Sequence, residues 1–294
     1  MFTNRPARRG REPLGALGFG EACMGTAVMA GWWMAGLLRL TAGIAVDTPT
    51  VRLDAAQVAS RLAATGEAGV PDLAAVDLSG LDLSGVDFKR ANLTGARLAG
   101  TKLAGANLFS CDLTDAVATD AVLTKANMDG TVLRRADFRR ANLEGASLFA
   151  TILERTNLAG ANLAGTRIIG YLRSADLSGA SLKNSNSGAD PGNQSMGVMR
   201  ATFVGADLTG ADLSNTNLYK ADLSHAVLAN ARLTGTTLSN ADLIQTDFTG
   251  ADLTGAKLDK ADLNGADFTG AKGLDRAQGL SEARNRDKAT FDAK

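Results

Sequence analysis

Large apolar residues recur along most of this chain at intervals of five positions. The step holds from Leu73 to Leu113, continues with few exceptions to Ile168, and returns between Phe203 and Phe268. A small residue, most often Ala or Thr, usually stands two positions before each large one, as in ANLTG and ADFRR. Neither the period of an α-helix nor that of a β-strand produces this spacing. The pattern predicts a coil with short flat sides, in which the large and the small residue point inward.

The repeat A-[DN]-[LF]-x-x resembles that of the pentapeptide-repeat family between about residues 71 and 270. The resemblance implies an all-β fold, a right-handed quadrilateral parallel β-helix with four repeats, about 20 residues, in each coil. Stacked coils would then pair backbone to backbone at roughly 4.8 Å. Because a single coil cannot bury its apolar side chains, the core forms only by stacking, and the two ends need caps.

Short helical caps are expected at both ends of this solenoid. Asp54 and Gln57 form a capping-box pattern that opens the helix AAQVASRLAA. Near the C-terminus the period loosens, and SEARNRDKATFDAK predicts a degenerate turn and a short helix over the last exposed edge. The predicted order is an N-terminal helical cap at 47–70, β-helix blocks at 71–182 and 198–272, and a C-terminal cap or tail at 273–294.

Two places break the register of the repeat. One residue is missing between Ile168 and Leu172, which predicts a local kink at a corner. The segment 183–197 is rich in Asn, Ser and Gly and supplies no inward apolar residue until its end, so it is predicted to be a loop. Two interpretations stay open, a tolerated insertion or a projecting recognition loop, since loops on rigid scaffolds often carry binding.

Residues 1–46 differ from the repeats and predict a signal sequence or a membrane anchor. An arginine-rich start, an uncharged apolar run at 22–38 and small residues at Gly43 and Ala45 are typical of a secretory signal. The alternatives are a retained tether, because the run is near the lower limit for spanning a bilayer, and a soluble apolar extension. Repeat proteins with such N-termini resemble exported bacterial proteins, which favours the periplasm or the inner membrane over the cytoplasm.

Composition argues against catalysis and against nucleic-acid binding. The 31 basic residues balance the 31 acidic ones, whereas nucleic-acid binders carry a basic excess. His225 is the single histidine and lies two positions after an inward leucine, so we expect it at the surface. Cys23 and Cys111 stand in unlike contexts, and Cys111 replaces an inward alanine, which predicts a buried, inert thiol. No catalytic residue, cofactor or metal site is expected.

The candidate partner contacts are the features that break the repeat, since the regular faces offer little to distinguish one coil from another. Phe109, Phe149 and Tyr219 each follow an inward leucine and should face solvent, where aromatic side chains can mark a contact surface. An arginine cluster should gather on adjacent faces. The other candidates are Asn184, Asn186, Asp190, Asn193 and Gln194 in the loop and Arg134, Arg135, Arg139 and Arg140 in the cluster.

The sequence therefore predicts a non-catalytic scaffold that binds an unidentified protein partner and is exported or tethered to a membrane. One alternative is a DNA mimic, because some pentapeptide-repeat proteins bind type II topoisomerases in that way. The second block is the more acidic, but the arginine cluster would interrupt an acidic stripe. The other alternative, a β-helix carbohydrate-active enzyme, would need a cleft with converging carboxylates, which a narrow regular coil does not offer.

Overall fold

The structure is a computed structural model and describes residues 50–66, 69–88, 90–189 and 199–293. The chain divides into two units, Met1–Thr48 and Pro49–Lys294. The predicted signal or anchor at 1–46 lies outside the described residues, and so do Asp190, Asn193 and Gln194 of the predicted loop. No helix among the residues that are described is long and apolar enough to cross a membrane.

The second unit is a stack of parallel coils in which most residues lie beside the residue four repeats further along the chain. Asp72 forms a parallel bridge with Asn92, Asn92 with Asp112, and Asp112 with Val132. Each coil contains four five-residue sides, which we call faces 1 to 4. In one coil, the large inward residue is Leu133 on face 1, Phe138 on face 2, Leu143 on face 3 and Leu148 on face 4. The backbone N–H of the large inward residue typically donates to a carbonyl of the next coil, as from Leu133 to Ile152 at 2.7 Å. The implied coil repeat is therefore present.

The predicted inward phase is correct along both blocks. The large residue of each repeat and the small residue two positions before it are almost all fully buried in one continuous cluster. Threonine can replace the small alanine because its hydroxyl finds a backbone acceptor, as in the bond from Thr156 Oγ1 to the Leu133 carbonyl at 2.7 Å. Near the end of the stack, the rings of Phe248, Phe268 and Phe291 lie parallel, with centroids 4.9 and 5.2 Å apart.

Corners between faces are two-residue turns whose second residue has a positive φ. Glycine occupies this position in many coils, and Gly95 has a φ of 65°. Arg135 and Arg155 hold the same left-handed conformation, each with a φ of 57°. This conformation costs a non-glycine residue roughly 1–2 kcal/mol, so the backbone tolerates long side chains at the corners although it does not favour them.

Regular helices occur only near the two ends of the described unit. Helix α1, Ala55–Ala64, begins with the predicted capping box, in which Asp54 Oδ1 accepts from Gln57 N at 2.8 Å and Gln57 Oε1 from Asp54 N at 2.9 Å. Val58 and Leu62 pack into the core. At the C-terminal end the predicted helix is two short 3-10 helices, Leu280–Glu282 and Arg286–Lys288. The bridges there join positions further apart in sequence than in the regular coils, for example Asp267 and Thr290, so the last coil contains extra residues and its chain turns tightly.

The missing residue produces a β-bulge at the corner between faces 4 and 1. Here the turn is replaced by two parallel strands, β1 (Ser147–Ile152) and β2 (Arg167–Tyr171), with a register shift between Phe149 and Thr151. A Cβ on Gly170 would overlap the backbone of Thr151, so only glycine fits this close approach. The predicted distortion is confirmed: at this corner the backbone is extended as a strand and does not form the usual turn.

The start of the predicted loop at 183–197 is wrong, because Lys183–Ala189 continues the coil through a turn onto face 4. Asn186 bridges both Arg167 and Asn217, and Ser185 and Ser187 fill the inward positions. The prediction was wrong here because serine replaces the expected alanine and leucine. Neither hydroxyl has a hydrogen-bond partner among the described residues, nor does that of Ser214.

Candidate functional site

The outward residues of face 1 divide into three zones along the stack. This face carries Asp112 in one coil and Asp222 further on, both of which are consensus carboxylates. Between them, three successive coils present Val132, Ile152 and Tyr171, which are paired through parallel bridges. Tyr171 is the most exposed of the three, at 54%. We call Val132, Ile152 and Tyr171 the face-1 apolar stripe.

Arginines border the stripe at the corner between faces 1 and 2. Arg134 Nε donates to Glu154 of the neighbouring coil at 3.0 Å. Arg135 forms a two-point ion pair with Asp115, at 2.8 and 2.6 Å, and these bonds raise the pKa of its guanidinium. The side chains of Arg155 and Arg173 have no hydrogen bond or ion pair among the described residues. The corner also contains a 220 Å³ groove, lined by Arg134, Arg135, Glu154, Arg155, Arg173 and Ser174.

The predicted arginine cluster is split between two corners. Arg139 and Arg140 follow Phe138 and lie at the corner between faces 2 and 3, because each five-residue side turns the chain onto a new face. Arg139 pairs with Asp137 at 2.6 Å and Arg140 with Asp120 at 2.7 Å. Hydrogen bonding to Arg140 holds the pKa of Asp120 below its usual value. These two arginines are therefore already paired with carboxylates close to their own corner.

Phe109, Phe149 and Tyr219 all lie at the corner between faces 4 and 1, but only Phe109 is as exposed as expected, at 47%. Phe149 is half-buried because the guanidinium carbon of Arg167 lies 4.3 Å from its ring centroid. Tyr219 is also half-buried, with Lys220 Nζ 5.3 Å from its ring centroid. The prediction that all three face solvent was wrong for the last two, which pack beneath long basic side chains.

Of the loop candidates that the structure describes, Asn184 is the second residue of a corner turn, with a φ of 58°, and Asn186 belongs to the regular ladder. Asn184 and Asn186 are exposed, but Asn186 Oδ1 accepts from Asn217 Nδ2 at 2.9 Å, so it stacks as other ladder asparagines do. The bulge, the two half-buried aromatics and Ala189, which ends a described range, all fall on the same corner, between faces 4 and 1. That corner adjoins the face-1 apolar stripe.

The second block carries a different surface on face 1. Asp222, Asp242 and Asp262 stack there, and Arg200 joins the first two, at 3.3 and 2.6 Å. Arg284 reaches Asp242 and Asp262 at 3.5 and 3.9 Å. A shallow groove of 480 Å³ lies beside this column, lined by Arg200, Lys220, Asn240, Lys260 and Arg284. The acidic column is therefore clamped by arginines at both ends.

Many repeat aspartates accept a hydrogen bond from the backbone N–H two residues further along the chain. Asp77 Oδ1 accepts from Ser79 N at 2.9 Å, and hydrogen bonds from Ser79 lower the pKa of that carboxyl. Cys111 is fully buried, and burial raises the pKa of its thiol to about 12. His225 is exposed, as predicted. Across the described ranges, no group of three or more His, Cys, Asp or Glu side chains could hold a metal ion.

Sequence reasoning missed the face-1 apolar stripe and Arg173. The signal was present, because the position before the inward residue is most often Asp or Asn and is Val132, Ile152 and Tyr171 in three successive coils. The missing residue between Ile168 and Leu172 places Tyr171 only 19 residues after Ile152, so the stripe is visible only when the register between the coils is known. Each residue alone looks like an ordinary repeat variation.

Comparison with known proteins identifies the repeat. The family model described as pentapeptide repeats matches eight copies, at residues 72–109, 111–148, 141–170, 199–235 and 237–272. The crystal structure of HetL, a pentapeptide repeat protein involved in heterocyst differentiation regulation in the cyanobacterium Nostoc sp. strain PCC 7120, is similar. It is 30% identical, with a TM-score of 0.70 over 79% of this chain and 96% of HetL.

Two further solved structures are more distant. Rfr23, a pentapeptide repeat protein from the cyanobacterium Cyanothece 51142, is 25% identical, with a TM-score of 0.24 over 42% of this chain and 64% of Rfr23. Full-length QnrB1, a plasmid-mediated fluoroquinolone resistance protein, is 18% identical, with a TM-score of 0.26 over 74% of this chain and 93% of QnrB1. No curated protein matches the sequence of this chain.

Proposed function

Because this chain belongs to the pentapeptide-repeat family, we propose that it is a non-catalytic scaffold that binds a protein partner through face 1 of its first block. The observation that carries this proposal is the face-1 apolar stripe with its border of arginines. Outward positions elsewhere are mostly polar, so three stacked apolar residues stand out beside two guanidiniums that are unpaired within the described ranges. Aromatic and arginine side chains are also the residue types that most often dominate binding energy at interfaces.

Of the predicted contacts, Arg134, Arg135, Phe109 and Phe149 adjoin this surface and remain candidates. Arg139, Arg140, Asn184 and Asn186 lie on other faces, and Tyr219 lies further along the corner. A partner seated on the stripe would cover apolar area worth about 25 cal/mol per Å². The stacked coils hold this surface on a rigid backbone, so little backbone entropy is lost when a partner binds.

A photo-cross-linking experiment tests the proposal. The full chain carries p-benzoylphenylalanine in place of Tyr171 in one version and in place of Val117 in the control. Val117 is an outward apolar residue on face 2, 38% exposed, with the polar Arg97 and Asp137 as its ladder neighbours. We expect a discrete cross-linked partner, identified by mass spectrometry, from position 171 and not from position 117. Equal products from both positions would contradict the proposal.

We also propose that the chain is exported or tethered to a membrane by residues 22–38, that the coil is right-handed, and that α1 and the last coil close its ends. Support for export is the basic, apolar and small-residue order of residues 1–46. The test is the mature N-terminus in fractionated cells. A start near residue 46 in the periplasm, or an intact chain in the membrane fraction, would agree; an intact chain in the cytosol would contradict export.

The two alternatives find less support on the same surfaces. A DNA mimic needs a continuous acidic column, but Arg200 and Arg284 pair with the aspartates of the face-1 column in the second block. In the first block, arginines line the corner between faces 1 and 2. A carbohydrate-active enzyme needs carboxylates free for acid–base work. Many of the repeat aspartates instead accept hydrogen bonds from their own turns.

A further inference from the structure

The face-1 apolar stripe and the corner beside it carry a local positive charge. Arg134, Arg135, Arg155 and Arg173 contribute four positive charges in three successive coils. Asp115 and Glu154 pair with two of them, so the local sum is 4 − 2 = +2. Because the whole chain has a formal charge of zero, the rest of it sums to −2. The basic corner therefore carries a local positive excess in a chain that is neutral as a whole.

The two ends of the stripe differ in charge. Asp112 occupies the same column one coil before Val132. Thr202 and then Asp222 follow Tyr171 at the other end, where Arg200 pairs with Asp222 at 3.3 Å. At roughly 4.8 Å per coil, the stripe from Val132 to Tyr171 is about 10 Å long, which matches about three residues of an extended chain. A ligand with negative charge is therefore attracted to the arginines beside the column and is repelled by Asp112 beyond Val132. The surface thus specifies the sign of the charge that it binds and limits the ligand at the Asp112 end.

We infer that this surface binds a short acidic peptide segment that carries one aromatic or aliphatic side chain beside its carboxylates. The inference rests on the scaffold function proposed above and adds the chemistry of the partner. The apolar side chain packs on Ile152 and Tyr171, while the carboxylates pair with Arg155 and Arg173. Both guanidiniums are exposed and have no partner among the described residues, so binding breaks no existing ion pair there.

A nucleic acid fits this surface less well than a peptide. Phosphates repeat along a nucleic acid, so a strand on the column that runs from the arginines onto Asp112 is repelled there. Val132 and Ile152 also offer a strand neither hydrogen bonds nor an aromatic platform, and Tyr171 provides a single stacking surface, whereas a strand stacks successive bases. The apolar stripe is better matched by an aliphatic or aromatic side chain of a protein segment.

Fluorescence anisotropy of the full chain with labelled probes tests the inference. The three probes are an acidic peptide with one central phenylalanine, the same peptide with serine in that place, and a single-stranded oligonucleotide of equal net charge. We expect the phenylalanine peptide to bind best. Substituting Arg155→Glu together with Arg173→Glu should weaken its binding about tenfold or more, because two attractions become repulsions.

The matched control is Lys257→Glu with Lys272→Glu, which makes the same charge change on faces 4 and 3. Both lysines are exposed and lie outside the basic corner. The control should bind the peptide as the parent chain does, and circular dichroism melts should show that both double variants fold. Equal binding of the serine peptide or the oligonucleotide, no peptide binding, or no effect of the arginine reversals would each overturn the inference.

The two proposals fail in different ways. If position 171 cross-links a partner but the cross-linked segment is not acidic, or the acidic peptide does not bind, the scaffold function stands and the acidic-peptide inference is overturned. If position 171 captures nothing and no probe binds, both are overturned. An acidic, apolar segment cross-linked at position 171, with peptide binding lost in the arginine variant, supports both.

Discussion

Face 1 of the first block and face 1 of the second block share one backbone and differ in what they present. Their inward residues are equivalent, since Leu133 and Leu153 in one and Leu223 and Leu243 in the other are buried in the same column. The outward residues are a stripe of apolar side chains bordered by arginines in the first block, and a column of aspartates clamped by Arg200 and Arg284 in the second. The inward positions therefore hold the coil, whereas the outward positions are free to specify a surface.

A charge at an inward position of face 1 should lower the stability of the stack more than any other change proposed here. Leu153→Asp buries a carboxylate without a partner in the core, and we expect it to cost several kcal/mol, on the order of 4 or more, or to unfold the stack. Ile152→Asp, one residue away and outward, restores a consensus residue and should change stability little. Thermal melts followed by circular dichroism compare the two, and equal melting temperatures would show that the inward and outward assignment is wrong.

The junction between the two blocks offers a stabilising change. Ser187 occupies an inward position in the face-4 column, between Ile168 and Leu218, and its hydroxyl lacks a hydrogen-bond partner within the described ranges. Ser187→Ala removes this buried hydroxyl and should raise the free energy of unfolding by about 1 kcal/mol. Ser181→Ala, at an outward position, is the control. No gain from Ser187→Ala in urea unfolding would mean that the hydroxyl is satisfied in solution.

The clamped aspartate column should depend on its arginines. Arg200→Ala removes the guanidinium that pairs with both Asp222 and Asp242, so the two carboxylates repel each other more strongly. We expect the free energy of unfolding to fall by about 1 kcal/mol, and by less when salt is added. The control is Arg276→Ala, because Arg276 is highly exposed and its ion pair, at 3.8 Å, is with the adjacent Asp275. Melting temperatures at low and high salt measure both. A loss equal to that of the control would argue that the clamp contributes nothing.

The smallest expected effect is a shift in the titration of one repeat carboxyl. Hydrogen bonds from the Thr269 hydroxyl and backbone N–H, the former at 2.6 Å, hold the pKa of Asp267 below its usual value. This stabilisation is present above the usual carboxyl pKa and is lost as the pH falls through the lowered folded-state pKa. Thr269→Val should move the pKa back toward its usual value. Carboxyl NMR titration measures this, and an unchanged pKa would assign the shift to the backbone bond alone.

Much of the fold follows from the sequence because its main signal is strictly local. The five-residue spacing identifies almost every inward residue, and Asp54 with Gln57 identifies the start of α1. The number of repeats in each coil came instead from the family resemblance, because spacing alone does not say how many sides close a coil. Ser185 and Ser187 escape the pattern because inward serines carry no apolar signal.

The candidate site was predictable only in part. Arg134 and Arg135 were identified because two adjacent arginines are conspicuous, but Arg139 and Arg140 point elsewhere because the chain turns a corner every five residues. Tyr171 was missed because the deletion before Leu172 moves it out of the regular phase. A surface assembled from separate coils becomes visible only when the register between the coils is known.

We expect the face-1 apolar stripe to serve binding and not folding. The triple substitution Val132→Asp, Ile152→Asp and Tyr171→Asp tests this, because it gives the first block the outward column of the second. Cross-linking from p-benzoylphenylalanine at position 149 and thermal melting are measured on the same samples, with and without the triple substitution. We predict that the substituted chain still melts cooperatively as a folded protein and no longer cross-links its partner. An unchanged cross-linked product would contradict the claim.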